Sequence, residues 1–183
     1  MKKLFIVVGP ESSGTRLTTR ILCESGCFGD FEHYQRLDEF IEDNNSLANI
    51  IGDNELVVFR RSVPHGGEFP EFKKMFYKFY NVKIFTPFVI VITRNIFELC
   101  KSKMNNNGKE SIEDAYESFQ LEMRYIFKEV IGFDNILFFN TSFLFKFPEI
   151  SLKSLSTWSG LDVSVKKVIS FLYDADKNQQ IGD

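Results

Sequence analysis

The sequence predicts an α/β fold: a three-layer α/β/α arrangement around a mostly parallel central sheet. Two observations carry this. Short, continuous apolar runs alternate with segments of helical periodicity, the pattern of strands buried on both faces. The first run, Leu4-Phe5-Ile6-Val7-Val8, feeds a Gly/Ser-rich turn, Gly9 to Arg16, that opens directly into a helix.

In chain order, Leu4–Val8 reads as the first strand and residues 15–25 as a helix ending near Gly26. Gln35–Asp43 has the spacing of a short amphipathic helix, with Leu37, Phe40 and Ile41 on one face. Glu55–Phe59 is a second buried strand, and the Pro/Gly-rich stretch from Arg60 to Gly67 reads as a loop. Pro70–Tyr80 is helical, with Phe72, Met75, Phe76 and Phe79 turned inward as core. Phe88–Thr93 is the clearest strand. Arg94 ends it, and Asn95 can cap a helix running to about Met104. Asn105–Gly108 reads as a turn, Ser111–Ile131 as a long helix, Ile136–Phe139 as a fourth strand, and the remainder as largely helical. No repeat or linker divides residues 1–183, so a single domain is expected.

Composition excludes several classes. An apolar fraction of 44% in 183 residues suits a globular core and argues against disorder. The 21 Phe residues read as core filling. A net charge of −3 gives no support for a broad nucleic-acid-binding surface, and no apolar stretch is long enough to span a bilayer. Met1-Lys2-Lys3 and the run after it mimic the start of a signal peptide, but the run is short and ends in Gly-Pro-Glu. Cys23, Cys27 and Cys100 form neither a disulfide framework nor a metal-binding pattern; with no secretion signal they suit a reducing cytoplasm. No metal site is expected.

The loop after the first strand carries the chemistry. A strand, a Gly-rich turn and a helix N-terminus aim backbone N–H groups at one point, which suits phosphate or a mimic of it. Gly9 and Gly14 have the spacing of the P-loop, G-x-x-x-x-G-K-[ST], so the expected three-layer fold resembles that of the P-loop NTPases (P-loop NTPase-like). Thr15 stands at the Lys position, however, and Arg16 at the Ser/Thr position that would hold Mg²⁺. The loop therefore suits an anionic, nucleotide-like donor not carried by magnesium. Segments 9–16, 60–67 and 94–102 all sit at predicted strand carboxyl ends, where such sheets bind ligands, and should converge on one crevice. At the third strand's end, Arg94 offers a fork of donors and Ser102, eight residues on, a hydroxyl: a clamp for a second phosphate.

Together these motifs resemble the sulfotransferase superfamily that uses 3′-phosphoadenosine 5′-phosphosulfate (PAPS). Ser13-Gly14-Thr15 matches its modified P-loop, and Arg94, Asn95 and Ser102 match its second motif, with Glu98 where an acidic residue is common. The order of elements fits from residue 1 to about 165. The resemblance implies that Ser12, Ser13, Gly14, Thr15 and Arg16 hold the 5′-phosphosulfate and that Arg94 and Ser102 hold the 3′-phosphate. The donor would be PAPS and the product adenosine 3′,5′-bisphosphate. The chain departs from the family in having Ser12 where Lys or Arg is usual, Arg16 where a second Thr is common, and Ile96 for Pro. Only an echo of the late Gly-rich loop survives, at Lys177, Gly182 and Asp183.

The implied reaction is metal-independent, in-line sulfuryl transfer to a hydroxyl or amine, with Arg16 and the loop amides stabilising charge. An acceptor base is needed, and the candidates are His65, Glu32 and His33. His65 follows the second strand, where family members carry Lys-Thr-His, although Ser62 falls in the aligned register and Arg60 and Arg61 near Lys-Thr. The acceptor, be it a small molecule, a sugar or a peptide, is not legible; segments 31–50 and 103–110 are expected to face it. Association into a homo-oligomer is left open. Two other readings stand beside this one: a P-loop kinase for a nucleotide or small metabolite, and a non-catalytic nucleotide-binding relative.

Overall fold

A computed structural model describes residues 2–29, 44–64 and 67–180. The order of elements is β1 (Lys3–Pro10), α1 (Thr15–Glu24), α2 (Asn44–Ile51), β2 (Leu56–Val63), α3 (Phe72–Val82), β3 (Thr86–Thr93), α4 (Ile96–Asn107), α5 (Ile112–Val130), β4 (Ile136–Asn140), α6 (Thr141–Lys146), α7 (Pro148–Ser159) and α8 (Val165–Gln180). The four strands form one all-parallel sheet in the order β2-β1-β3-β4.

The two-residue period of a strand builds the layers. Leu4, Ile6 and Val8 of β1 join Val57, Phe59, Val89 and Val91 on one face. That face is covered by Leu47 and Ile51 of α2, Phe72, Phe76 and Phe79 of α3, and Ile126 and Val130 of α5. Phe5 and Val7 join Val58, Phe88, Ile90 and Ile92 on the other, under Ile21 and Leu22 of α1, Leu152 and Leu155 of α7, and Val168, Phe171 and Leu172 of α8. The result is the three-layer α/β/α arrangement.

The strands sit where the apolar runs place them, with one functional difference. β2 continues through Arg60, Arg61, Ser62 and Val63, which the composition marks as loop. Val7 pairs with Arg60, Val8 with Arg61, Gly9 with Ser62 and Pro10 with Val63, so ladder pairing with β1 overrides the polar composition. Likewise α4 runs past Asn105 to Asn107, ending at Gly108 with φ 64°. The expected turn there is a helical last turn with its glycine cap. α2 is a helix that the sequence pattern does not predict. The helix expected at Gln35–Asp43 lies outside the described residues.

Because β1 is followed by β2 on one side and β3 on the other, the chain reverses direction across the sheet at β1/β3. Ligand crevices of open α/β sheets lie outside the carboxyl ends of the strands at such a point.

Candidate functional site

At that point the structure has a cleft of about 530 Å³, within the usual size of small-ligand sites. Its lining comes from the ends of all four strands and from helix α4: Glu11 to Leu17 after β1, Arg60 and Ser62 of β2, Arg94 after β3, Ser102 and Asn106 of α4, and Thr141 and Phe145 beyond β4. The expected convergence of the three chemically loaded segments is therefore present in the fold. Ser12, Ser13, Gly14, Thr15, Arg16, Arg94 and Ser102 all line this one space.

The loop is held in an unusual shape by identifiable contacts. Ser12 has φ 66° and Gly14 φ 100°, both in the left-handed region. Alternating handedness of this kind turns successive N–H groups toward a common side, forming an anion-binding concavity. A Cβ at Gly14 would lie 2.8 Å from Cγ2 of Thr141, so only glycine fits. At Gly9 a Cβ would lie 2.5 Å from Ser13 Oγ. The Ser13 hydroxyl is buried there with no hydrogen-bond partner among the described residues. Behind the loop, the Thr141 hydroxyl donates to the carbonyls of Ser13 (2.8 Å) and Thr93 (3.2 Å), tying β4's end to the turn. α1 starts at Thr15 with no acidic residue in its first turn, so no side-chain anion there competes with a ligand for the helix's positive end.

Arg94 is oriented from two sides. Its Nη1 donates to the carbonyl of Ser12 (3.1 Å), and its Nε lies 3.5 Å from Oε2 of Glu98 one helical turn on. The same Glu98 oxygen accepts a hydrogen bond from Ser142 Oγ at 2.7 Å, and Ser142 Oγ in turn accepts from the Asn95 N–H at 2.9 Å. Asn95 caps α4 as expected, its side chain accepting from the N–H groups of Phe97 and Glu98. Ser102 faces the cleft two turns up α4 and accepts from Asn106 Nδ2 at 3.1 Å. That bond leaves the Ser102 hydroxyl hydrogen available to donate to an anion.

Cations flank the loop. Arg16 lies on the first turn of α1, exposed and lining the cleft. Arg60 is 8% exposed and enters from β2. Glu11 and Arg60 belong to segments expected at the crevice, and Asn106 to a segment expected to face the acceptor; Arg60 enters as the end of a strand rather than from a loop. Thr141, just past β4, lies in none of those segments. Of the base candidates, Glu32, His33 and His65 lie outside the described residues, as do Gly182 and Asp183. In the 103–110 segment, Asn106 reaches the cleft, while Lys103 is fully buried in an ion pair with Glu122 of α5 (Nζ to Oε1, 2.7 Å). Burial pushes the Glu122 carboxyl up, and hydrogen bonds from Lys103 and Ser118 pull it back only in part.

Among the solved structures similar to this chain are these two. One is the sulfotransferase domain of an olefin synthase from Synechococcus PCC 7002, with a TM-score of 0.58 and 14% identity over 90% of this chain and 74% of that one. The other is described as a kinase from Chloroflexus aurantiacus, with a TM-score of 0.49 and 13% identity over 94% and 97%. At these identities the first shows a shared fold and nothing finer. No family model matches the chain, and no curated protein matches it. Among the described residues, no helix is long and apolar enough to cross a membrane.

Proposed function

We propose that the chain is a sulfotransferase that moves the sulfuryl group of PAPS to a hydroxyl or amine acceptor. The observation that carries this reading is the pairing of two anion anchors across the switch point. The left-handed turn Ser12–Gly14 lies after β1, and the Arg94–Ser102 pair lies beside it, joined to the turn through the Ser12 carbonyl. A nucleotide with phosphates at both its 3′ and 5′ positions needs two such anchors.

The residues fit that donor. Loop amides and the N-terminus of α1 would receive the 5′-phosphosulfate, with Arg16 and Arg60 beside it; Arg94 and Ser102 would receive the 3′-phosphate. Sulfuryl transfer proceeds through a loose transition state, so the protein's part is alignment and stabilisation of charge on the leaving phosphate. Loop donors fixed by Thr141 serve that end without reorganising as charge develops. Thr15 and Arg16 stand where a Mg²⁺-nucleotide site has its Lys and its metal-binding hydroxyl. The same reading takes residues 1–183 as one domain acting on a small-molecule, sugar or peptide acceptor.

The test is transfer of ³⁵S from labelled PAPS to a panel of phenols, amino sugars and tyrosine peptides in the presence of EDTA. Labelled product that disappears in Arg94→Ala supports the reading. Phosphate transfer from Mg-ATP to the same panel, without sulfate transfer, would replace it with the kinase.

A further inference from the structure

The two anion anchors leave the sheet on neighbouring strands, at the point where those strands stop pairing with each other. The β1–β3 ladder ends at Val8 and Val91; beyond it β1 continues to Pro10 beside β2, and β3 to Thr93 beside β4. The separation between the loop after β1 and Arg94 after β3 is therefore left to side chains. Two adjacent residues past β4, both buried, supply the link. The Thr141 hydroxyl shares its hydrogen between the carbonyls of Ser13 (2.8 Å) and Thr93 (3.2 Å), and its methyl packs against Gly14. Ser142 donates to Glu98 Oε2 (2.7 Å) and accepts from the Asn95 N–H (2.9 Å). Glu98 in turn holds Nε of Arg94. One peptide unit thus joins the first anchor to the support of the second. A hydroxyl has a single hydrogen, and both of these are committed to protein acceptors, so neither is left to donate to an anion.

We propose that Thr141 and Ser142 are positioning residues that hold the two anchors at a fixed separation, so that a ligand with two phosphates engages both at once. The inference rests on the donor reading above and deepens it. It states the ligand class that the spacing selects: a nucleotide phosphorylated at two positions, over one phosphorylated at either alone. Once one phosphate is bound, the second meets its anchor at an effective concentration set by the geometry of the link. Loosening the link lowers that concentration without weakening either anchor by itself. A hydrogen bond that no ligand touches then controls selectivity between ligands.

The probes are adenosine 3′,5′-bisphosphate, 5′-AMP and 3′-AMP. Their affinities are measured in EDTA by calorimetry, the two monophosphates by competition against the bisphosphate, for the wild-type chain, Thr141→Val and Thr141→Ser. The wild-type chain is expected to bind the bisphosphate on the order of a hundredfold tighter than either monophosphate. Thr141→Val keeps the branched shape and loses the hydroxyl. It is expected to weaken the bisphosphate by about tenfold and each monophosphate by less than about threefold. Thr141→Ser restores the hydroxyl and is expected to restore the wild-type ratio. A role in folding alone would lower the melting temperature and leave that ratio in place. If Thr141→Val does not fold, Ser142→Ala breaks the other end of the same link and is read for the same ratio. A ratio that moves by less than about threefold overturns the proposal, as does an equal loss of all three ligands. Failure of the wild-type chain to bind the bisphosphate is a different result: it removes the donor reading itself, and this inference with it.

Discussion

Arg94 shows how one side chain can hold a loop in shape and still face a cleft. Its guanidinium holds the Ser12 carbonyl and pairs with Glu98 while lining the cleft. Truncation to alanine is expected to lower affinity for adenosine 3′,5′-bisphosphate by about 10- to 100-fold, the worth of one or two charge-assisted hydrogen bonds. Isothermal titration would read it, and an unchanged affinity would remove Arg94 from the site. Gly14 makes a purely steric case. At φ 100°, with Thr141 Cγ2 2.8 Å from the nearest position a Cβ could take, Gly14→Ala is expected to cost about 1–3 kcal/mol in denaturant unfolding and to abolish bisphosphate binding. Cys27 reports on the core behind α1. Burial, reinforced by Cys23 and opposed by Lys3, pushes its thiol from 9.0 up to about 12. The folded chain then keeps a proton that the unfolded chain loses above pH 9. Stability should therefore fall between pH 9 and 12 by up to about 1.4 kcal/mol per pH unit, and Cys27→Ala should show a shallower decline over that window.

Helix α4 carries Ser102 into the cleft, and its register depends on a contact hidden from solvent. Lys103 and Glu122 are 0% and 1% exposed, paired at 2.7 Å, with Ser118 donating to the same carboxylate oxygen. A buried pair of this kind adds little net stability, but breaking it strands a charge. Glu122→Ala is expected to cost about 3–5 kcal/mol, while the double change Lys103→Met with Glu122→Leu should recover most of that loss. Equilibrium urea unfolding of the three chains decides it. If the double variant is as unstable as the single one, packing rather than the stranded charge is responsible. How legible each element was follows from the same physics. β1 and β3 are read from their apolar runs because burial on both faces leaves few polar positions, and β4 from the apolar run Ile136–Phe139, although Phe138 there is exposed. The end of β2 is misread because Arg60, Arg61 and Ser62 precede a Pro/Gly stretch, and nothing local reveals that β1 pairs with them. α2 is short and begins with two asparagines, so its helical character comes from Leu47 and Ile51 packing on the sheet.

At the scale of the molecule, an all-parallel sheet in the order β2-β1-β3-β4 gathers residues from Glu11 to Phe145 around one cleft. The Gly9–Arg16 loop, with Glu11, and the Arg94–Ser102 pair are legible because each is a short motif at a strand's carboxyl end. The strand position of Arg60 and the place of Thr141 in the wall are not, since each is fixed only when distant strand ends meet. The central claim is that this cleft holds a nucleotide 3′,5′-bisphosphate without a metal. The most direct measurement is a thermal-shift titration with adenosine 3′,5′-bisphosphate in EDTA, set against ATP with and without Mg²⁺. At a hundredfold excess over its dissociation constant, a ligand of the folded state adds about 2.7 kcal/mol, roughly 5–10 °C for a chain of this size. The account predicts that shift from the bisphosphate in EDTA and its loss in Arg94→Ala. A shift from Mg-ATP alone would contradict it.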